Sequence, residues 1–581
     1  MRSEGAALAG KSRWSLVAIA IAASGACAYP TIQPWDYAPR PMADTLAIVE
    51  PEETAESLIY SQVHGFGEGV ARGLNVKRLT SGPPPTWNAD AFDEVVNSTW
   101  FTNRNALRPL AAEEIRRGPQ TGSGPVPPLT VSSIKSEGVS PGFNVKDANG
   151  QRWIFKFDPP DLSELASGAE VVATNLFWAA GYYTPENYVH YFDPADVRLD
   201  DDLEAEFIED SVLVEYTTNP EEADERELTM EVFRRHVLDL YPRTQEGRIR
   251  ALASKFLEGA PKGPFDYIGI RRDDPNDVIP HEHRRELRGM YPMAAWLNHT
   301  DVKAGNSLDM FIVSPRSPEG EDAPKIGYLR HNLIDFGSAL GSSAVRPHDV
   351  RHGNEYQFDA GAILLRLITL GAYERPWQDL EEGAYPPSIG YYSNENYDPA
   401  DWRSNMLNPA LINRTARDGY WGAKLVMSFT DEQLDAAVAA GQYTSPEAAA
   451  YLLRALKLRR DATGRHWFRQ VSPLDRPRVE GGSVVFEDLW ARHFGGPTGY
   501  RWKLDWDAAD PDIEIGGTTN EPAIQLPAPS GRIDADPDDA GNAEIRVWKV
   551  FGDGEEAPRP ATYWLAWNAA ARAWTVVGAR Y

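Results

Sequence analysis

Two short stretches of sequence decide the fold of this chain: HTDVKAGN at residues 299–306 and LIDFG at residues 333–337. In the first, Asp301 lies five residues before Asn306, and Lys303 follows the aspartate by two positions. The second follows a run with strand character and places Asp335 two residues before a glycine. Either stretch alone is compatible with an ordinary turn, because Asp, Asn and Gly are common turn residues. Their meaning depends on what precedes them in the chain.

Upstream, the pattern changes to alternating strands followed by one helix. Strands are predicted at residues 129–134, 142–145 and 152–157, and the Asn-Gly pair at 149–150 predicts a hairpin between the last two. A helix is predicted from about residue 162 to 180, with Gly181 as its stop. Lys156 lies in the third strand, and Glu170 lies fourteen residues later on the helix. A solvated surface lysine and an ordinary helix glutamate are the alternative interpretations of this pair.

Taken together, these pieces resemble a protein kinase: a strand-rich part, one helix, a mostly helical part, and the catalytic-loop and Asp-Phe-Gly stretches in the right order. The resemblance covers about residues 129–375 and is specific at the catalytic loop and the Asp-Phe-Gly turn. It implies an α+β fold with a two-lobed kinase-like core. It also implies transfer of a phosphoryl group from ATP, with Mg²⁺, to a hydroxyl-bearing protein or small molecule.

By this resemblance, the catalytic and metal-binding residues come from the two stretches quoted first. Asp301 would orient the acceptor hydroxyl and accept its proton, and Lys303 would lie near the transferring phosphate. Asn306 and Asp335 would supply hard oxygen ligands to Mg²⁺, which prefers a few protein oxygens together with phosphate and water.

The nucleotide-binding residues would come from the strand-rich part. Lys156 would hold the α- and β-phosphates, and Glu170 would hold Lys156 through an ion pair. Gly138 and Gly142 lie where a glycine loop is expected, but they lack the usual three-glycine spacing, and Pro141 removes one backbone donor. Phosphate contact at this loop and a plain hairpin turn therefore both remain open.

The sequence also departs from the protein-kinase pattern. Thr300 stands where the catalytic loop usually carries arginine, and no Ala-Pro-Glu follows Gly337, which puts regulation by an activation loop in doubt. A long acidic segment at residues 200–245 looks like an insertion. In these features the chain resembles the atypical kinases, among them secreted kinases and bacterial persistence-toxin kinases.

Composition excludes several classes of function. The chain has 581 residues with 58 Lys plus Arg against 85 Asp plus Glu, a formal charge of −27 that would repel nucleic acid. Hydrophobic residues make up 42%, which is typical of a folded globular protein. The single cysteine, Cys27, excludes an internal disulfide and a zinc site built from several thiolates.

The amino terminus has the layout of an export signal. Basic residues precede the apolar run at residues 16–23, and small residues surround Cys27. Residues 24–27 resemble a bacterial lipobox with a weak first position, which predicts a lipid anchor at Cys27 in the periplasm or on the outer membrane. Ordinary cleavage and secretion, and an uncleaved tail on a cytosolic protein, are the alternatives. The lipid anchor would be the only contact with the membrane.

The sequence is divided into five parts. We expect a signal at 1–28, an extended Pro/Gly-rich arm at 29–125, a small lobe with the acidic insertion at 126–265, a helical lobe at 266–480, and a β-rich, sandwich-like domain at 483–581.

Three functions remain open on the sequence alone. The first is an exported kinase-like phosphotransferase, which is favoured because lysine, glutamate, catalytic aspartate and metal aspartate are all present. The second is a pseudokinase-type module that binds nucleotide or a partner without turnover. The third is a structural envelope protein that kept only the scaffold. Export conflicts with the use of ATP, which is scarce outside the cytoplasm.

Overall fold

The computed structural model describes residues 46–54, 83–134, 141–201, 203–208, 211–212, 224–320, 323–357, 359–381, 383–506, 515–526, 542–568 and 571–581. Helices and strands are both abundant in these residues, and the strands form several sheets. The expected α+β class is therefore confirmed. The predicted export signal, Cys27 and Gly138 lie outside the described residues. None of the described helices is long and apolar enough to cross a bilayer.

The strands are numbered in chain order. Those of the first half are β1 (Ile48–Val49), β2 (Leu129–Ile134), β3 (Gly142–Lys146), β4 (Arg152–Lys156), β5 (Asn187–Phe192), β6 (Val197–Leu199), β7 (Glu204–Ile208), β8 (Ser211–Val212), β9 (Asp224–Glu227) and β10 (Ile249–Lys255). Those of the second half are β11 (Ala260–Pro261), β12 (Ser307–Val313), β13 (Ile326–Leu333), β14 (Leu474–Glu480), β15 (Ser483–Asp488), β16 (Gly499–Trp506), β17 (Ile515–Thr519), β18 (Ala523–Gln525), β19 (Asn542–Val550), β20 (Ala561–Asn568) and β21 (Ala573–Arg580).

The α-helices are numbered in the same way. They are α1 (Ala112–Arg117), α2 (Leu165–Ala180), α3 (Met230–His236), α4 (Arg285–Arg288), α5 (Met290–Trp296), α6 (Ala360–Ile368), α7 (Pro409–Ile412), α8 (Ala416–Met427), α9 (Asp431–Ala440), α10 (Pro446–Phe468) and α11 (Leu489–Phe494).

A six-stranded sheet, ordered β5-β10-β4-β3-β2-β6, carries Lys156. The predicted hairpin between β3 and β4 is confirmed, because Gly150 takes the left-handed conformation with φ +77° and the two strands pair in register. The Asp147 carboxylate accepts hydrogen bonds from the backbone of Asn149 and Gln151, which closes the turn. This turn fixes the register that places Gly142 opposite Lys156.

Each face of the six-stranded sheet is covered by a different element. On one face, Phe143 and Phe155 pack in a core that includes Phe233 of α3. On the other face, Val171 of α2 packs against Leu252 of β10. The acidic segment at residues 200–245 contains α3 and also the small β8-β7-β9 sheet. Its helix therefore forms part of the core of the six-stranded sheet.

A second, four-stranded sheet is ordered β1-β13-β12-β11, and the HTDVKAGN and LIDFG stretches lie at the ends of its strands β12 and β13. Its central strands β12 and β13 pair antiparallel, with Ser307 opposite Leu333. The residue before β12 and the residues after β13 therefore lie at the same end of the hairpin. This pairing brings the catalytic-loop stretch and the Asp-Phe-Gly stretch together.

Helices α4, α5 and α7–α10 form a helical region around a large apolar core. Within this region α4 and α5 follow each other directly, with a break at Gly289. At this break a Cβ on Gly289 would lie 2.4 Å from the Trp421 ring of α8, so the close approach of the two segments needs glycine. Strands β14–β21 follow and form a three-stranded and a five-stranded sheet that share this core.

Residues 83–118, within the predicted amino-terminal arm, are built into the core of the protein. Trp100 stacks on His331 of β13 with ring centroids 3.6 Å apart, and Phe101 is fully buried. Asp93 contacts Arg285 of α4 and Arg580 of the last strand. Residues 83–118 of the predicted arm therefore join the β12–β13 hairpin, the helices and the C-terminal sheet.

The end of α2 depends on Gly181, which stops the helix as predicted. Its φ is +138°, and a Cβ at this position would lie 2.2 Å from the Phe101 ring. We expect Gly181→Ala to lower the free energy of unfolding by about 3 kcal/mol, because a steric clash adds to backbone strain. Chemical denaturation of the purified variant measures this loss.

Gly247→Ala is the matched control for this prediction. Gly247 also has positive φ, +81°, but a Cβ there would meet nothing within 4 Å. Its replacement should cost only backbone strain, about 1 kcal/mol. Equal losses in the two variants would show that the contact with Phe101 contributes nothing.

Candidate active site

Lys156 and Glu170 form a buried ion pair between β4 and α2. The Lys156 Nζ lies 3.5 Å from the Glu170 Oε1, and the two side chains are 15% and 4% exposed. The sequence folds this way because Asp158, two residues after the lysine, holds the start of α2. Its carboxylate accepts hydrogen bonds from the backbone N–H groups of Ala166 and Ser167 at 2.8 and 2.7 Å. The strand end and the helix start are thereby fixed to each other.

Asp335 completes this ion-pair cluster from the opposite side. Its Oδ1 lies 2.9 Å from the Lys156 Nζ, and its side chain is 47% exposed. The residue takes the left-handed conformation, φ +61°, which Asp tolerates better than most residues and which turns the chain after β13. Burial alone would lower the pKa of Lys156, but the carboxylates of Asp335 and Glu170 outweigh it and raise that pKa above its usual value. Lys156 is therefore a charged ammonium at neutral pH.

The catalytic-loop stretch forms its own cluster of polar side chains. The Lys303 Nζ lies 3.0 Å from the Asp301 Oδ2. The Asn306 Nδ2 donates to the same oxygen at 3.0 Å and to the Asp301 backbone carbonyl at 2.7 Å. Because the amide NH₂ of Asn306 is directed at Asp301, its amide oxygen points away from that carboxylate.

Backbone hydrogen bonds join this cluster to Asp335. The Ile334 N–H donates to the Asn306 carbonyl at 3.0 Å, and the Thr300 N–H donates to the Ser338 carbonyl at 3.3 Å. The first of these bonds continues the antiparallel pairing of β12 with β13, and the second joins the loops that flank the two strands. Asp335 and Asn306 therefore lie at the same end of the hairpin and offer two oxygen donors that could hold a hard cation such as Mg²⁺.

An aromatic stack that the sequence analysis missed links the helix to both stretches. The ring of Phe336 lies 4.9 Å from Phe177 of α2 and 5.3 Å from His299, measured between centroids. Burial lowers the pKa of His299, although the charges of Asp301 and Asp335 oppose this shift. His299 is therefore neutral at neutral pH and packs as part of the stack. The only sequence signal was its position at the head of the catalytic-loop stretch.

A second missed residue, Asn187, holds the glutamate in place. Its Nδ2 donates to the Glu170 Oε1 at 3.4 Å and to the Thr174 Oγ1 at 2.9 Å. Asn187 begins β5, so the sheet supports the glutamate from a strand other than the one that carries the lysine. No local pattern around Asn187 marks this role.

The glycine-loop residues have different outcomes. Gly142 begins β3 and is the register partner of Lys156, and the Phe157 N–H donates to the Pro141 carbonyl at 3.1 Å. Gly142 therefore lies beside Lys156. Gly138 falls in residues 135–140, outside the described part of the chain.

The two histidines of the HEH stretch at residues 281–283 make structural contacts. The His281 Nε2 lies 2.7 Å from the Asp277 Oδ2, and His283 Nδ1 is hydrogen-bonded to Arg288. Arg284 also pairs with Asp277 at 2.7 Å. Within the described residues, no group of three or more His, Cys, Asp or Glu side chains is arranged to hold a metal ion.

Comparison of the chain with protein-family models, with curated proteins and with solved structures finds no match.

Proposed function

We propose that this protein is an ATP- and Mg²⁺-dependent phosphotransferase of the protein-kinase type. The observation that carries the proposal is the position of Lys156, which contacts both the helix glutamate Glu170 and the turn aspartate Asp335. These three residues are far apart in sequence. Phosphoryl transfer in protein kinases requires a lysine paired with a helix glutamate and, close to it, an aspartate that binds the metal.

Charge neutralisation is the main catalytic demand of this reaction. Phosphoryl transfer needs little covalent chemistry from the protein, so the protein contributes positioned charges and an oriented acceptor. Lys156 is kept protonated by its two carboxylate neighbours and would bind the α- and β-phosphates. Glu170 would keep the lysine in position as the nucleotide enters and draws Lys156 away from Asp335.

The metal fits the donors at the end of the hairpin. Asp335 and Asn306 offer a carboxylate and an amide oxygen, and Mg²⁺ commonly takes one or two protein oxygens and completes its shell with phosphate and water. The bound ion would supply positive charge to the β- and γ-phosphates. Gly142, beside Lys156, would allow the backbone to approach the phosphates, and Gly138 belongs to the same proposal.

The acceptor would meet the catalytic-loop cluster. Asp301 would accept the proton of a hydroxyl group, and Lys303, 3.0 Å from Asp301, would stabilise charge on the transferring phosphate. The Asn306 side chain orients Asp301 through its hydrogen bond. We assign the acceptor to hydroxyl-bearing proteins or small molecules in or at the cell envelope, because the sequence predicts export and a lipid anchor at Cys27.

The arrangement of the sheets and helices also supports a kinase-like core with two lobes. The six-stranded sheet and α2 would form the small lobe, and the helical region with the β12–β13 hairpin would form the large lobe. The aromatic stack of Phe177, Phe336 and His299 joins α2 to the catalytic loop. Movement of α2 would therefore change the site, as in a switch that acts through helix position.

A transfer assay with Asp335→Asn tests the proposal. Purified full-length protein with Mg²⁺ and γ-labelled ATP should transfer label to itself or to an added hydroxyl acceptor. Asp335→Asn should reduce the rate by about 100- to 1,000-fold, because it removes one centre of charge stabilisation. The matched control is Asp435→Asn, an exposed aspartate of α9, which should leave the rate unchanged.

The other outcomes distinguish the remaining functions. Nucleotide-dependent thermal stabilisation without label transfer would support a binding module without turnover. The absence of both effects would indicate a structural envelope protein. Transfer that survives Asp335→Asn and chelation of Mg²⁺ would contradict the assignment of the metal site.

A further inference from the structure

Helix α6 exposes an unusual number of large apolar side chains. Leu364 is 57% exposed, Leu367 68%, Ile368 69%, and Leu370, just past the helix end, 95%. Ile363 and Leu365 are also exposed, and Ala362 is buried. Large contiguous apolar patches of this kind are rare on soluble proteins and mark surfaces that bind another phase or molecule. We call residues 363–370 the apolar patch.

The apolar patch surrounds most of the helix. At 100° per residue, the exposed apolar positions from Ile363 to Ile368 cover an arc of about 200°. Arg366 and Thr369 occupy the remaining sector. A flat protein surface, including that of a second copy of the chain, would cover only one side of this arc. A phase into which the helix sinks would cover the whole arc.

The sequence around the patch is also nearly free of charge. Residues 360–373 read AGAILLRLITLGAY and contain one charged residue, Arg366, in a chain in which 25% of residues are charged. A partner recognised through charge would find almost nothing to bind here. Such an uncharged apolar surface is suited to contact with a hydrocarbon phase.

We propose that α6 docks this protein onto a lipid bilayer, with the apolar patch buried among the outer acyl chains. A helix lying in the plane of the bilayer sinks about 5–10 Å into the boundary between headgroups and acyl chains. Because a helix with its side chains is about 10 Å across, this depth covers more than half of its circumference. Arg366 and Thr369 then face the headgroups and water.

The amino-terminal part of the chain favours a bilayer over other occupants. The sequence predicts a lipid anchor at Cys27, and the described residues begin at Leu46. The intervening segment can span at most about 65 Å when fully extended. The anchor would hold the folded body close to the bilayer and so raise the effective concentration of the patch there. Docking by the patch itself does not require that anchor.

The patch is connected to the catalytic loop by a short path. The Asn405 N–H donates to the Thr300 carbonyl at 2.7 Å, and the Gln357 N–H donates to the Asn405 carbonyl at 2.8 Å. Gln357 lies two residues before Asp359, whose side chain caps α6. A docked helix would therefore hold the catalytic loop near the bilayer surface.

Vesicle flotation tests the proposal. The full chain carrying Cys27→Ser, which removes the predicted acylation site, should float with vesicles of phosphatidylethanolamine and phosphatidylcholine, and should do so equally in low and high salt. Leu367→Asp combined with Ile368→Asp should weaken this partitioning by about 100-fold, because two large apolar side chains no longer enter the acyl layer. The matched control is Val278→Asp, a residue 66% exposed elsewhere on the surface, which should not change it.

A fluorescent label distinguishes binding of the apolar patch to a bilayer from its binding to a second copy of the chain. With Cys27 replaced by Ser, Ile368→Cys carries the only thiol and can be labelled with an environment-sensitive dye. Its emission should shift to the blue when vesicles are added, whereas a label at Val278→Cys should not respond. The proposal would be overturned if the full chain did not float with vesicles, or if its flotation were unchanged by Leu367→Asp combined with Ile368→Asp. An emission shift that depends on protein concentration in the absence of lipid would also overturn it, because it would indicate a second copy of the chain.

Discussion

The Lys156→Met variant is expected to transfer the phosphoryl group about 100- to 1,000-fold more slowly than the wild-type protein. Methionine keeps most of the length of the lysine side chain but removes the ammonium group. Under the proposed function, the α- and β-phosphates would lose the charge that neutralises them, and Asp335 and Glu170 lose the cation that they share. Initial rates with γ-labelled ATP measure the effect.

The same variant should also lose stability, for a separate reason. Glu170 is only 4% exposed, and without Lys156 its carboxylate keeps the hydrogen bond from Asn187 but loses the ammonium group 3.5 Å away. Removing one partner of a buried ion pair costs about 3–5 kcal/mol, because the remaining buried charge loses that compensation. Chemical denaturation should show a loss near the lower end of this range, since Asp335 is well exposed to water.

A double variant separates the two effects. Lys156→Met combined with Glu170→Gln replaces the buried Glu170 carboxylate by a neutral amide, so most of the lost stability should return. Activity should stay lost, because the phosphate-binding charge is still missing. Lys146→Met, which removes an exposed lysine from the neighbouring strand β3, is the matched control and should keep both activity and stability. If the double variant regained activity, Lys156 would have only a structural role.

The local part of the site followed from the sequence. The hairpin signal at Asn149-Gly150 set the register of β3 and β4, and the helix pattern after it placed Glu170 on α2, whereas the pairing of Glu170 with Lys156 was expected only from the resemblance to protein kinases. The catalytic-loop and Asp-Phe-Gly stretches lie on either side of a strand hairpin, so pairing of β12 with β13 was enough to bring them together. These features depend on short-range patterns that a single sequence displays.

The missed part of the site depends on contacts between distant segments. The stack of Phe336 with Phe177 and His299, and the hydrogen bond from Asn187 to Glu170, join residues whose neighbours carry no distinguishing pattern. Trp100 was assigned to an extended arm because Pro and Gly around it favour irregular structure, yet it stacks on His331. Tertiary packing, rather than local preference, decides such positions.

Asp93 is the second residue whose replacement should have a large effect. It lies in the predicted arm, is 2% exposed, and contacts three arginines from different parts of the chain: Arg285 at 2.9 Å, Arg580 at 3.2 Å, and Arg417, whose Nε lies 3.0 Å from the Asp93 Oδ2. We expect Asp93→Asn to lower the free energy of unfolding by about 3–5 kcal/mol at neutral pH, because three guanidinium groups lose the buried carboxylate that they share. Asp435→Asn should change it little.

The pH dependence of stability gives an independent check on Asp93. Burial alone would raise the pKa of Asp93, but the guanidinium groups of Arg285 and Arg417 outweigh it and hold that pKa well below its usual value. An aspartate whose pKa is lowered on folding stabilises the native state at pH values above its unfolded pKa of about 3.9, and this contribution is lost as the pH falls further. The difference in unfolding free energy between wild type and Asp93→Asn should therefore be constant near neutral pH and shrink below about pH 4. A difference that stays constant through this acid range would mean that Asp93 acts through packing and hydrogen bonds rather than through its charge.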